Sequence, residues 1–251
     1  MKFRSKAFGL HLAGSALALT CVLGSLYFGW YRWPGWYLTG ASHVALLLTG
    51  IDVVLGPLLT LIIANPRKPR RELARDIGMI VLVQVSALTY GAHTLWAGRP
   101  LYYTFSNDRL ELVQASEISP DEVALARKTN PAFAPYWYSR PRWVWAPLPD
   151  DPEEAKRIMT QAVLGGTDVV QMPRYFRPWD AGLRALATQL RKLEDQKVYS
   201  PDEKRVLRKR MAALGLPADE PVTLTMWGYS RPLLAVFDPD TLRLRSLIRV
   251  N

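Results

Sequence analysis

The sequence is poor in the residues that build disulfides, metal sites and common catalytic centres. It has one cysteine, so no disulfide can form within the chain. Its three histidines all precede residue 98, which leaves residues 98–251 without histidine or cysteine. That absence excludes the usual zinc sites and Ser-His-Asp or Cys-His arrangements there. Walker A, G-x-G-x-x-G and H-E-x-x-H motifs are missing as well. We therefore expect no cofactor, no metal and no enzyme activity.

The positive charge of the chain is unevenly distributed. The net charge is +10, from 32 Lys and Arg against 22 Asp and Glu. Residues 1–97 carry 9 basic and 3 acidic residues, so more than half of the excess lies in the more apolar part of the chain. Basic residues beside membrane segments set their orientation. The orientation of membrane segments therefore accounts for most of the positive charge, and we expect no nucleic-acid partner.

Three apolar stretches are long enough to cross a bilayer. They cover residues 7–31, 44–64 and 77–97, and they predict a three-helix membrane anchor over residues 1–97. A secretory signal peptide is the alternative for the first stretch. We favour a retained span, because the stretch is longer than a signal h-region and runs into an aromatic cluster instead of a cleavage site.

The loop between the second and third stretches predicts the orientation of the anchor. It is rich in basic residues, whereas the loop between the first two stretches has only Arg32. The positive-inside rule places the basic loop and the N-terminus in the cytoplasm. Residues 98–251 then lie on the opposite side, which is the periplasm in a Gram-negative bacterium. The basic residues of the loop are Arg67, Lys68, Arg70, Arg71 and Arg75.

Residues 98–251 predict a small α+β domain. Segment 130–149, with five prolines and six aromatic residues, predicts an ordered extended loop, and an aromatic platform for sugar is the less favoured alternative. The predicted strands are 101–105, 109–115, 222–227, 233–237 and 242–250, and the predicted helices begin after Ser119 and Ser200 and cover 150–164 and 179–196.

Asp52 is the only acidic residue inside a predicted span. An ionisable group in a bilayer is costly and normally faces the interior of a helix bundle. Thr49, Gly56 and Thr60 share its helix face. Pro57 predicts a kink, or a carbonyl freed near Val53.

Depth along the helices suggests partners for Asp52. Counting residues from the span ends places Tyr90 as its hydrogen-bond partner and His93 as its charge partner. Asp52 then either ties the second span to the third or contacts a polar group on a membrane helix of another protein. Intramembrane aspartyl proteolysis needs two cooperating carboxyls, and Asp76 lies roughly 18 Å or more away in depth. On the first span, small residues form a seam suited to close helix contact, namely Gly14, Ala18, Cys21 and Ser25.

The second span carries a family resemblance. The run from Gly50 to Ile63, followed by Asn65-Pro66-Arg67-Lys68, resembles the signature of the TfpX/TfpZ group of type IV pilin accessory proteins, also described as FimB-like fimbrial assembly proteins. The match is dense over residues 5–113 and thin beyond. Further matching pieces are Lys6-Ala7-Phe8, His11-Leu12, Gly40 to His43, Asp76, Gln84, Ala87-Leu88, Tyr90-Gly91 and Arg99-Pro100.

The resemblance implies an inner-membrane protein that helps type IV pilin accumulate or assemble, and it brings no catalytic residues. We therefore predict a non-catalytic chaperone or assembly factor, embedded in membrane lipid, that binds the membrane helix and the head of pilin. The alternative is an enzyme or enzyme accessory that modifies pilin, for example by glycan transfer. A transporter or sensor is a third class, opposed by the small number of spans. The predicted partner-binding residues are Asp52, Gly56, Pro57, Thr60, Gln84, Tyr90 and His93.

Overall fold

A computed structural model describes residues 2–250. These residues form two compact units. The first, here called the membrane unit, contains residues 2–36 and 40–98. The second, the C-terminal domain, contains residues 99–250 together with the short segment Tyr37–Thr39. The predicted fold class is confirmed, because three long apolar helices precede a small domain of helices and strands.

Two of the three spans are interrupted helices, although their apolar stretches are continuous in sequence. The first and second both contain π-helical turns, and only the third is a continuous α-helix. The helices also extend beyond the apolar stretches at their basic ends, since long Lys and Arg side chains can reach polar surroundings from the edge of a bilayer. The first span is α1 (Lys2–Leu26) with a π-turn at Tyr27–Tyr31, and α2 (Gly35–Thr39) follows it. The second is α3 (Ala41–Thr49), a π-segment (Gly50–Leu55) and α4 (Gly56–Ile63), and the third is α5 (Arg70–Ala97).

A seven-stranded mixed sheet forms the centre of the C-terminal domain. Its order is β4-β3-β1-β2-β5-β6-β7. The predicted strands 101–105 and 109–115 are confirmed as antiparallel β1 and β2, while β3 runs parallel to β1 and β5 runs parallel to β2. The strands are β1 (Pro100–Ser106), β2 (Arg109–Gln114), β3 (Arg142–Trp145), β4 (Arg177–Pro178), β5 (Thr223–Trp227), β6 (Leu233–Phe237) and β7 (Leu244–Ile248).

The helices α6 (Pro120–Thr129), α7 (Pro152–Val163), α8 (Leu183–Gln189) and α9 (Pro201–Ala213) accompany the sheet. The predicted starts after Ser119 and Ser200 are confirmed. The hydroxyl of Ser119 accepts a hydrogen bond from the Glu122 N–H at 3.2 Å, and that of Ser200 accepts one from the Glu203 N–H at 3.3 Å. Each cap satisfies a main-chain donor that a helix start would leave unpaired.

Two sequence predictions in this domain are wrong in detail. The predicted helix 179–196 is broken, because Arg191 pairs with Thr223 through two main-chain hydrogen bonds of 2.9 Å and leaves the helical conformation. The predicted loop 130–149 contains strand β3, whose backbone pairs with β1. In both cases pairing with a distant strand outweighs the local preference of the segment.

Leu38 lies between the first two spans in sequence but belongs to the core of the C-terminal domain. Its side chain is fully buried, in a cluster that includes Phe105 and Leu110. The Leu38 carbonyl accepts hydrogen bonds from the main-chain N–H groups of Tyr229 and Ser230, at 2.7 and 2.9 Å. Position 228 must be glycine here, because a Cβ would overlap Leu38.

The turn between β6 and β7 depends on Asp238. Its carboxylate accepts hydrogen bonds from the main-chain N–H of Thr241 at 2.9 Å, from the Arg245 Nε at 2.8 Å and from the Thr241 hydroxyl at 2.8 Å. These donors hold the pKa of Asp238 well below its ordinary range. A lowered carboxyl pKa stabilises the fold above the unfolded-state pKa of about 4, and the contribution is lost as the pH falls below it.

We therefore expect Asp238→Asn to lower the melting temperature of the C-terminal domain by a few degrees at pH 7. The difference between the variant and the wild type should shrink as the pH is lowered below about 4, because the carboxyl of the unfolded chain then takes up a proton that the folded carboxylate does not yet bind. Thermal unfolding of the detergent-solubilised protein at both pH values measures this. An equal difference at both pH values would show that charge on Asp238 is not the cause.

Candidate functional site

The second span breaks its α-helical hydrogen bonding around Asp52. The main-chain N–H of Gly56 donates to the carbonyl of Ile51, five residues earlier, and not to that of Asp52. Pro57, the next residue that could reach the Asp52 carbonyl, has no N–H. The sequence predicted a free carbonyl near Val53. In the structure, the free carbonyl is that of Asp52. A carbonyl left without a donor in a bilayer is costly, so it requires a partner from outside the helix.

Gln84 of α5 supplies that partner. Its Nε2 donates to the Asp52 carbonyl at 2.9 Å, and the Gln84 side chain is buried. Gly56 makes the approach possible, because a Cβ at this position would overlap the Gln84 amide. The small residue before Pro57 therefore has a steric reason to be glycine.

A histidine of the first span completes the network. His11 Nε2 lies 2.7 Å from Gln84 Oε1, and His11 Nδ1 lies 2.5 Å from the Thr60 hydroxyl. Because the amide oxygen can only accept, His11 donates through Nε2, and a neutral ring then accepts the Thr60 proton at Nδ1. The chain of bonds from Thr60 through His11 and Gln84 to Asp52 joins all three spans.

The side chain of Asp52 is not fully satisfied by this network. The residue is only 3% exposed, and its Oδ2 has no hydrogen-bond partner among residues 2–250. Leaving a buried polar atom unpaired costs on the order of 1–3 kcal/mol. A donor supplied from outside the chain would recover that free energy.

Asp52 lies at an apolar groove between α1 and α5. The α4 helix packs against both of these helices, which make few contacts with one another. The gap leaves a cavity of about 430 Å³, in which Asp52, Thr60, His11 and Gln84 are the polar groups besides Ser15. Its apolar walls come from α1 with Ala7, Leu10, Gly14 and Ala18, and from α5 with Ile77, Val81, Val85 and Leu88. We call this cavity the α1–α5 groove.

The small-residue seam predicted on the first span does not contact a helix of this chain along its length. Gly14 and Ala18 line the α1–α5 groove, and a Cβ at Gly14 would meet no atom within 4 Å. Cys21 and Ser25 line a second cavity of about 560 Å³ between the same two helices. The seam is therefore open over two successive cavities.

The structure brings together five of the seven predicted site residues, Asp52, Gly56, Pro57, Thr60 and Gln84. The prediction that Tyr90 and His93 face Asp52 is wrong. Tyr90 is 76% exposed, and His93 lines the second cavity. Six residues along a helix turn the side chain by roughly 240°, so Tyr90 cannot share the direction of Gln84.

The register of the second and third spans explains the error. Gly91 packs against Leu48, where a Cβ would overlap the leucine side chain. This close contact fixes α3 against α5 with the buried face of α5 at Ile80, Gln84, Gly91 and Leu95. Counting depth from the span ends therefore selects the wrong residues of the third span as neighbours of Asp52. Sequence reasoning also missed His11 as a site residue, although its polar neighbour Ser15, one turn later, marks the same face.

No three His, Cys, Asp or Glu side chains among residues 2–250 lie close enough to hold a metal ion. The groove offers apolar surface and small side chains, with Asp52 in its wall.

These features define a three-span membrane protein with a polar network at the centre of its spans and an α/β domain after them. The chain belongs to the family of fimbrial assembly proteins, as its residues in the second span predicted. It is 33% identical over 124 residues to the fimbrial assembly protein of serogroups C1 and C2 from Dichelobacter nodosus, covering 49% of this chain and 95% of that protein. It is 29% identical over 187 residues to the serogroup I protein of the same organism, covering 73% and 70%. No family model and no solved structure matches the chain.

Proposed function

We propose that this protein is an accessory factor of type IV pilus assembly that binds pilin without catalysis, by holding the pilin membrane helix in the α1–α5 groove. The relatives are named fimbrial assembly proteins, which supports the process. The observation that supports the mechanism is Asp52, which lines the groove and has a buried side-chain oxygen without a partner among residues 2–250.

Helix association in a bilayer depends on close packing and on polar contacts, because lipid tails are as apolar as the helices themselves. The α1–α5 groove offers both. Gly14 and Ala18 let a second backbone approach α1 closely, and Asp52 presents an acceptor near the middle of the second span. A guest helix with a hydrogen-bond donor at that depth would pair with Asp52, whereas lipid chains would not.

We also propose that the protein lies in the inner membrane with its C-terminal domain in the periplasm. Pilin before assembly is held in the inner membrane by one apolar helix, with its head outside. The basic residues at the N-terminus and between the second and third spans favour a cytoplasmic position for both segments. The C-terminal domain would then lie in the periplasm, on the same side as the pilin head.

Crosslinking from α5 in membranes tests the groove as the pilin-binding site. Val85 lines the α1–α5 groove, whereas Val83 does not, and the two are 54% and 59% exposed. We expect a photo-reactive amino acid at position 85 to crosslink to pilin at least several-fold more than one at position 83. The matched exposure of the two positions controls for random encounters in the membrane. Equal crosslinking from both positions would count against the groove, and no crosslinking to pilin from any face of α5 would count against the proposed function.

A further inference from the structure

A cluster of exposed aromatic side chains lies on the loop before β3. Trp137 is 69% exposed and Tyr138 is 58% exposed. The rings of Tyr136 and Tyr138 are stacked with centroids 5.6 Å apart, and Trp137 meets Tyr138 edge to face at 5.5 Å. Soluble proteins rarely leave such large apolar side chains together in water unless the surface binds something. We call Tyr136, Trp137 and Tyr138 the aromatic patch.

The aromatic patch is held in place by its own loop. The Tyr136 N–H donates to the Ser139 hydroxyl at 2.9 Å, and the Ser139 N–H donates back to the Tyr136 carbonyl at 3.0 Å. The Arg127 guanidinium lies 5.2 Å from the centre of the Tyr136 ring. The patch is therefore presented as an ordered surface, and little conformational entropy would be lost when it binds.

The segment of chain that carries the aromatic patch has basic residues and no acidic ones. No acidic residue occurs between Val123 and Pro149. The same stretch contains four basic residues, of which Arg142 is engaged with the Ala132 carbonyl at 2.7 Å. Arg127, Lys128 and Arg140 are exposed beside the patch. The surface is therefore complementary to an anionic partner.

Strand directions place the aromatic patch at a particular end of the C-terminal domain. The chain enters the domain at Arg99 and continues into β1. Because β3 runs parallel to β1, the loop before β3 lies at the same end of the sheet as the start of β1. The Tyr102 hydroxyl donates to the Phe133 carbonyl at 2.5 Å and ties this loop to β1. The patch thus shares the end of the sheet that receives the chain from the third span.

We propose that the aromatic patch and its three neighbouring cations form a docking surface for the anionic headgroups of the bilayer that holds the spans. Trp and Tyr prefer the interface between headgroups and hydrocarbon, where an apolar ring and a polar tip are both accommodated. Lys and Arg near a membrane surface are attracted by anionic lipid. The chain enters the C-terminal domain directly after the third span, so the domain stays tethered to a bilayer that can offer such headgroups. This role is independent of pilin binding.

The experiment uses the full-length protein in lipid nanodiscs. Trp137→Cys in a Cys21→Ser background is labelled with an environment-sensitive fluorophore, and Val163→Cys, also highly exposed in the C-terminal domain, is the control position. We expect a blue shift of the label at position 137 in discs of anionic lipid and none at position 163. The shift should be lost when Arg127, Lys128 and Arg140 are all changed to glutamate, and it should weaken in 1 M salt, where the screening length is about 3 Å.

The native side chain provides a second measurement in case the label disturbs the patch. Brominated anionic lipid should quench the fluorescence of the wild-type protein more than that of Trp137→Phe. The same emission at positions 137 and 163 in anionic discs, together with equal quenching of both proteins, would overturn the proposal. A blue shift that appears only after pilin or a glycan is added would also overturn it, since the patch would then bind that partner.

Discussion

Replacing Gly56 by leucine is expected to abolish pilin capture and to lower the resistance of the membrane unit to unfolding. A side chain at this position would overlap the Gln84 amide, which would have to leave the Asp52 carbonyl. Overpacking costs typically 1–3 kcal/mol, and each buried polar group that loses its partner costs a similar amount. We therefore expect a total loss of roughly 2–6 kcal/mol.

Gly50 provides the matched control for Gly56. It lies in the π-segment that leads into α4, and a Cβ there would meet nothing within 4 Å. Gly50→Leu should leave both stability and pilin capture close to wild type. Unfolding by SDS titration and co-purification of pilin from mild detergent measure the two quantities. If both variants behaved alike, the close approach of Gln84 to the second span would not be what requires glycine at position 56.

Asp52→Leu is expected to reduce co-purification of pilin at least tenfold while leaving the stability of the membrane unit unchanged or slightly higher. The 2.9 Å hydrogen bond from Gln84 to the second span goes to the main-chain carbonyl of residue 52, which every substitution retains. The side-chain Oδ2 has no partner within residues 2–250, so its removal should not weaken the fold. The loss would leave the donor of the guest helix buried without a partner, which costs about 1–3 kcal/mol, or roughly tenfold in affinity.

The comparison of stability with capture separates the two roles considered for Asp52. If the residue served only to tie the spans together, Asp52→Leu would lower the resistance to SDS, and pilin would be lost in proportion to unfolded protein. Asp52→Asn is an informative intermediate, because the amide keeps one acceptor oxygen and replaces the other oxygen by a donor NH2 group. We expect it to retain part of the capture. Full capture by Asp52→Leu would contradict the proposed site.

Much of the architecture follows from local patterns in the sequence. The length of the apolar stretches predicts the three spans, and Ser-Pro-Asp-Glu at 119–122 and 200–203 predicts the starts of two helices. Both signals depend only on residues that are close together in the sequence. The polar face of the second span likewise predicts that Asp52, Gly56 and Thr60 belong together. These inferences need no knowledge of how distant segments pack.

The remaining features depend on contacts between distant segments. The identity of the residue that reaches Asp52 is set by the close packing of Gly91 on Leu48, and no single-helix pattern contains that register. His11 joins the network from the first span, so its role depends on how that span is aligned with both the second and the third. The strand at 142–145 and the break at Arg191 are likewise decided by the backbone of a distant strand.

The burial of Leu38 in the C-terminal domain has a consequence for how this protein matures and how it can be dissected. The residue is synthesised before the second and third spans, yet the hydrophobic interior it fills is completed only when Gly228 and its neighbours have been translated. The nascent polypeptide must keep this leucine available on the correct side of the bilayer while the rest of the chain emerges. A recombinant fragment starting at Arg99 would carry a vacancy where Leu38 belongs, and grafting residues 37–39 onto it would restore the missing piece.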